Sequence, residues 1–237
     1  MARGLLTNLA GPVANLTHRS LRRAASHLAA RDRDLRCVLV AHGPPPMWAR
    51  KPGFRTLIQI ILEQQVSLAS ARAMFRRLSR DIVPFTPKRF VDTGVAGLRS
   101  LGVTRQKAAY CVHVAQAVQD GRVDLAAVAR MDDAGAASAL TRLKGVGPWT
   151  ASIYLLMALR RPDVWPSGDI ALVQAVASVK RLRHRSSTER VAKIADSWRP
   201  LRSVAARMMW QHYLAGRPAP RPSGRRPDSG RSSGEGS

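Results

Sequence analysis

Residues 143–152 read Leu-Lys-Gly-Val-Gly-Pro-Trp-Thr-Ala-Ser, and an aspartate, Asp169, follows twenty residues after Trp149. A helical pattern runs up to Leu143. The trio Gly145-Val146-Gly147 then turns the chain tightly, and Pro148 stands where a new helix begins, its fixed φ suited to the first helical position. Glycine enters positive φ freely and lets backbone amides approach a partner with no side chain between. Such amides, with the positive end of the following helix, form an anion site that suits a DNA phosphate. Alone, Gly-x-Gly between helices is also an ordinary turn, so the rest of the chain has to decide.

At 237 residues and 45% apolar content, the chain has enough material for a real core in one domain or two small ones. A net charge of +24 points to a polyanionic partner, with nucleic acid the leading one. Arginine outnumbers lysine thirty-three to six, an excess discounted in part for genome composition. Cys37 and Cys111 lie far apart in apolar helical patterns, which excludes a disulfide framework and a zinc site and fits a reducing cytosol. The six histidines are scattered without ligand spacing. No eighteen apolar residues run together and Met1–Leu9 is not continuously hydrophobic, so neither a membrane span nor a signal peptide is expected.

Residues 1–19 carry weak signals and are expected to fray. A helix is expected from Ser20 to Ala41, ended by Gly43 and the stiff connector Pro44-Pro45-Pro46. Phe54, Leu57, Ile58, Ile61 and Leu62 recur at helical spacing as a buried face. Further helices are expected from Ser67 to Arg80, along the stripe Ala108, Cys111, Val112, Ala115 and Val118, and from Pro200 to about Leu214. Val83–Pro87 reads as a loop. Asp132 can cap the helix leading to the hairpin, and Ser186 with Glu189 has capping-box spacing. Nothing alternates as a strand, so the fold class is all-α. From residue 216 the chain is Gly, Pro, Ser and Arg, a disordered basic tail whose five arginines add salt-sensitive attraction to DNA.

The hairpin with its downstream aspartate resembles the helix-hairpin-helix superfamily of DNA glycosylases, in particular the 3-methyladenine DNA glycosylase II branch that removes alkylated bases. Three other blocks follow the family's pattern in the right order: Gly53–Ala71 with its paired glutamines, Leu101–Ala108, and Trp198–Ser203 through Trp210. Together they cover roughly residues 35–214. The resemblance implies a two-lobed, all-helical glycosylase domain over residues 20–215 with the hairpin at about 134–161. It implies an enzyme that flips an alkylated purine such as 3-methyladenine out of damaged double-stranded DNA and hydrolyses the N-glycosidic bond. A cytoplasmic, nucleoid-associated monomer is expected.

By this resemblance Asp169 is the catalytic residue. An aspartate before Ile170-Ala-Leu-Val173 is otherwise an ordinary helix cap, and the spacing from Trp149 sets it apart. Breaking the bond develops positive charge on the sugar; a fixed carboxylate stabilises it and can orient or deprotonate the attacking water. Trp149 stands where bifunctional members carry a nucleophilic lysine, and indole forms no Schiff base, so no lyase chemistry is expected. Trp149 and Trp210 are expected to wall the pocket, because an indole face attracts a cationic methylated purine. A core role for Trp210 beside Met208 and Met209 is equally consistent with its spacing. Ile153 replaces a pocket tyrosine of some relatives.

Gln64 and Gln65 are expected at the tip that enters the minor groove as the damaged nucleotide flips, since the glycosidic carbon is out of reach inside the duplex. Gly145, Gly147, Thr150, Arg105, Lys107 and Arg202 are expected on the DNA backbone. The carbonyls of Thr141, Leu143 and Val146 are the implied ligands of a structural Na+ or K+; no other cofactor is required. The iron–sulfur cluster of some members needs four cysteines, and the chain has two. Asp163 and Asp196 are expected to tolerate conversion to Asn. Two other readings share the charge and the hairpin: a same-fold glycosylase for deaminated or other damaged bases, and a noncatalytic helix-hairpin-helix DNA-binding protein. The latter leaves Asp169 and Trp149 unexplained.

Overall fold

The computed structural model describes residues 15–182 and 186–216, and among them there is no strand. Most of the expected flexible start and of the basic tail lies outside the described residues. The helices are α1 (His18–Arg31), α2 (Arg33–His42), α3 (Phe54–Glu63), α4 (Leu68–Asp81), α5 (Pro87–Ser100), α6 (Arg105–Gln119), α7 (Leu125–Arg130) and α8 (Asp133–Thr141). After the hairpin come α9 (Pro148–Ile153), a π-turn over Tyr154–Ala158, α10 (Ile170–Val179), α11 (Thr188–Asp196) and α12 (Arg202–Ala215).

Packing sorts these helices into two lobes. In one, α12 lies against α10, α2 and α1, so both ends of the described chain meet; in the other, α3 is surrounded by α4, α6 and the π-turn, and α5 pairs with α6. The buried face expected on α3 is there, with Leu57, Ile58, Ile60 and Ile61 fully out of water. Each such side chain contributes about 1.5–3 kcal/mol of burial. Hairpin helices α8 and α9 pack on each other and close the second lobe.

The single helix expected from Ser20 to Ala41 is two, and it starts earlier. Leu16 is buried and Thr17 caps α1 through a reciprocal pair with Ser20. Asp32 breaks the helix because its backbone is extended, at φ −131°, and its carboxylate accepts from the amides of Asp34 and Leu35 to start α2. A tertiary network holds that break. Lys180 Nζ donates to both Asp32 oxygens, at 2.9 and 2.8 Å, and Trp198 Nε1 donates at 2.8 Å. Burial alone raises the Asp32 carboxyl, but the bonds from Lys180 and Trp198 outweigh it and hold the group below the usual carboxylate range. The α11 cap is Ser187, accepting from Arg190, one residue after the expected Ser186. Asp132 caps α8 by accepting from Gly135 at 2.7 Å.

Candidate active site

The hairpin is shaped by its glycines and by what packs beneath it. Thr141 ends α8, Leu143 donates back to Leu140, and Val146 donates to the Leu143 carbonyl at 2.9 Å with its side chain buried. Gly145 sits at φ +93°, and a side-chain carbon there would land on the root of the Tyr110 ring. Gly147 is different: its φ is −84°, and beyond its two chain neighbours no atom lies within 4 Å of where a side-chain carbon would sit. The fold requires glycine at 145 but not at 147. Gly147 has no side-chain cap, so α9 opens with bare backbone donors at its positive end.

Asp169 arrives from the other lobe. The turn before it uses Gly168 at φ +83°, and Asp169 caps α10. Its Oδ1 accepts from the Leu172 amide at 2.9 Å and from Trp210 Nε1 at 3.3 Å; its Oδ2 accepts from Trp149 Nε1 at 3.1 Å. Two tryptophans, twenty residues before it and forty-one after it, thus aim their N–H edges at one carboxylate. Sequence reasoning read Trp149 as a pocket wall and left Trp210 between pocket and core, and it missed these bonds, because nothing local signals which edge of an indole faces inward. The carboxylate has no ion-pair partner among the described residues, so its charge is oriented by neutral donors without being neutralised. Of its two oxygens, Oδ2 carries the single bond and has acceptor capacity left over.

Trp149 is half-buried; Trp210 is buried in the core, one of its two expected places, with its edge toward Asp169. Ile153 is buried in the core. The neighbouring Tyr154 is also fully buried, its hydroxyl accepting from the Gly53 amide at 2.8 Å at the start of α3. Burial pushes the Tyr154 hydroxyl pKa up, and the bond from the Gly53 amide offsets part of this. Ile170, the residue after Asp169, is apolar and exposed.

The paired glutamines separate. Gln64 turns inward, its Nε2 donating at 2.8 Å to both the Gly145 carbonyl and the buried Thr150 hydroxyl. It ties the end of α3 to the hairpin. Gln65 is exposed in the left-handed region, at φ +54°, with exposed Val66 and Leu68 after it. Two of the three basic residues expected on phosphate also turn inward. Lys107 Nζ donates at 2.7 Å to the carbonyls of Leu62 and Gln64, closing the C-terminus of α3, and burial lowers its pKa. Arg202 spends its donors on Asp163, with Nε to Oδ1 at 2.9 Å and a second nitrogen to Oδ2 at 3.0 Å. Arg105 remains exposed. Asp163, mostly buried and held by Arg199 and Arg202, is therefore an anchor and not the indifferent carboxylate expected, whereas Asp196 meets the same two arginines, at 3.1 and 3.5 Å, from the exposed surface.

Among the described residues no group of His, Cys, Asp or Glu could hold a metal ion. At the hairpin, the Thr141 hydroxyl donates back to the Ala137 and Ser138 carbonyls. No helix among the described residues is long and apolar enough to cross a membrane.

Residues 58–200 match the model of a family described as HhH-GPD superfamily base excision DNA repair protein. The chain is 26% identical over 199 residues to DNA-3-methyladenine glycosylase 1 of Schizosaccharomyces pombe, covering 81% of this chain and 87% of that protein. It is 24% identical over 185 residues to the Bacillus subtilis protein YfjP, with 75% of this chain covered; it spans 64% of that relative's length. Among solved structures, the S. pombe 3-methyladenine DNA glycosylase Mag1 in complex with abasic DNA superposes with a TM-score of 0.74 at 25% identity, covering 80% of this chain and 95% of that one.

Proposed function

Because this chain belongs to the HhH-GPD superfamily of base excision DNA repair proteins, we propose that it is a monofunctional DNA glycosylase acting on alkylated purines such as 3-methyladenine in duplex DNA. The observation that carries this reading is Asp169: a carboxylate joined to the hairpin side by Trp149, oriented by two indole N–H groups and one amide, with no ion-pair partner among the described residues. In the reaction the C1′–N bond breaks, its electron pair leaves with the base, and positive charge develops on the sugar ring. The fixed carboxylate stabilises that charge. Water adds its oxygen to C1′, and Oδ2, the oxygen with spare acceptor capacity, takes the water proton. A methylated purine suits the site twice over: its positive charge weakens the glycosidic bond, and the half-buried Trp149 ring offers an indole face that attracts a cation by about 0.5–2 kcal/mol.

Gln65, exposed at the end of α3, is the residue that fills the gap left by the flipped nucleotide, while Gln64 holds the tip to the hairpin. The bare amides around Gly147 and the exposed Arg105 take the backbone phosphates. A monovalent cation on the carbonyls of Thr141, Leu143 and Val146 would supply a fixed positive charge beside those phosphates. The protein works as a monomer on damaged double-stranded DNA.

The test is excision from a panel of damaged oligonucleotides. Release of 3-methyladenine well above uracil opposite guanine is expected, and the reverse order moves the chain to a deaminated-base glycosylase. The product should be an intact strand bearing an abasic site, because Trp149 cannot carry a Schiff base. A covalent enzyme–DNA adduct trapped with borohydride overturns that part. Affinity for undamaged duplex should fall with salt by a slope of about −0.9 per phosphate contacted, and a salt-insensitive affinity argues against the hairpin as the phosphate site.

A further inference from the structure

Gln65 follows the last turn of α3 in the left-handed region, at φ +54°, a place that helix ends usually give to glycine. A side chain enters that region only when its surroundings impose it, and such outliers gather at functional sites. The peptide plane just before Gln65 is tied down from two directions. The Gln64 side chain donates to the Gly145 carbonyl and the Thr150 hydroxyl, and the Gln64 carbonyl accepts from Lys107 Nζ at 2.7 Å. Lys107 also takes the Leu62 carbonyl, again at 2.7 Å. At an ordinary helix end the following backbone amides or water satisfy such carbonyls. Here a side chain from another helix does, and it acts on the peptide that sets the direction in which Gln65 leaves α3.

The lysine is poorly placed for its own helix. It lies in the first turn of α6, where the positive end of the helix dipole opposes a cation. It is half-buried, and burial lowers its pKa. What favours the ammonium at this point is the negative end of α3, with its two open carbonyls. One turn further along α6, the root of the Tyr110 ring fills the space beside Gly145. Residues three apart share a helix face, so one turn of α6 seats both the hairpin and the end of α3. The chain that emerges there is exposed from Gln65 onward and carries two exposed apolar side chains, Val66 and Leu68.

We propose that Lys107 is a positioning residue for the tip that enters DNA: its two bonds fix the last peptide of α3 so that Gln65 is presented to the gap left by the flipped nucleotide. The inference rests on the reading of Gln65 given above. A tip freed from Lys107 has to be ordered again at each damaged site, and that ordering is subtracted from the affinity gained there. Contacts to backbone phosphates are common to damaged and undamaged duplex and are left alone.

The experiment measures affinity for two duplexes of one sequence, one undamaged and one carrying a tetrahydrofuran abasic analogue. The full chain is compared with Gln65→Ala, Lys107→Met and the double variant. The ratio of the two affinities isolates the tip, whereas a merely structural loss weakens both together. Gln65→Ala and Lys107→Met should each lower the preference for the abasic duplex by about three- to ten-fold, the scale of one net hydrogen bond. In the Gln65→Ala background, Lys107→Met should change the ratio by less than about 1.5-fold, because the lysine acts through the glutamine. Should Lys107→Met fail to fold, Lys107→Gln, which keeps a donor on a shorter stem, takes its place with the same expectation. Equal weakening on both duplexes, with a salt slope smaller by about 0.9, makes Lys107 a phosphate contact and overturns the inference. So does a full further drop in the double variant. A drop for Gln65→Ala without one for Lys107→Met defeats this inference alone and leaves Gln65 in its role. An unchanged ratio for Gln65→Ala, or a wild type without preference for the abasic duplex, defeats the gap-filling reading and this one with it.

Discussion

Asp169→Asn should reduce base excision by at least ~10²–10³-fold while leaving DNA binding in place, the range expected when a charge aimed at the transition state is removed. The substitution does two things at once. It deletes the negative charge that faces the developing sugar cation, and it replaces one acceptor oxygen with an amino group. Three donors converge on the wild-type carboxylate: the Leu172 amide, Trp149 Nε1 and Trp210 Nε1. Asparagine can satisfy those on one oxygen, but its nitrogen then meets an indole N–H donor to donor. A stability loss of about 1–3 kcal/mol is expected for that mismatch, small against the catalytic loss. Single-turnover excision and a binding titration on the same lesion duplex separate the two. Asp196→Asn, at exposed pairs with Arg199 and Arg202 that are worth little, is the matched comparison and should stay near wild type. A folded Asp169→Asn protein that keeps most of its activity ends the mechanism proposed here.

The two hairpin glycines should fail in different ways. Gly145→Ala forces a side-chain carbon onto the Tyr110 ring at φ +93°, so the hairpin must move, carrying with it the carbonyl that Gln64 holds. We expect about 1–3 kcal/mol of lost stability together with lost DNA affinity. Gly147→Ala has both room and an ordinary φ, so thermal unfolding should change by no more than about 0.5 kcal/mol. What the added methyl does meet is the partner. Duplex affinity should fall by about ten- to a hundred-fold, the scale of one lost charge-assisted hydrogen bond at ~1.5–3 kcal/mol. Thermal melts and duplex titrations on both variants check the contrast; a Gly147→Ala protein that binds as wild type removes the hairpin amides from the interface.

Several features were legible because their signals are local. The helix faces follow from apolar spacing, as on α3, and the caps at Asp132 and Asp169 follow from short acceptors placed before helical runs. The break at Asp32 was not legible. Arg31, Asp32 and Arg33 interrupt no pattern strongly enough, and Lys180 and Trp198, which hold the break, lie about 150 residues away. The same physics separates Gln64 from Gln65. The two are adjacent and identical in chemistry, yet one reaches the hairpin and the other faces solvent. Arg202 and Lys107 likewise read as surface cations; only the packed chain supplies Asp163 to one and the open end of α3 to the other.

By itself the sequence determined an all-helical chain with a glycine hairpin, a strong positive charge and an aspartate spaced to work beside that hairpin. Periodicity, capping residues, glycine and proline act over a few residues, so their consequences can be read in order along the chain. Tertiary structure alone decided which way each polar group points: two indole edges onto Asp169, and Gln64 and Lys107 inward. Those choices belong to partners from distant segments, because a buried donor settles on whichever acceptor the packed chain brings within reach, and no residue carries a local mark of that partner.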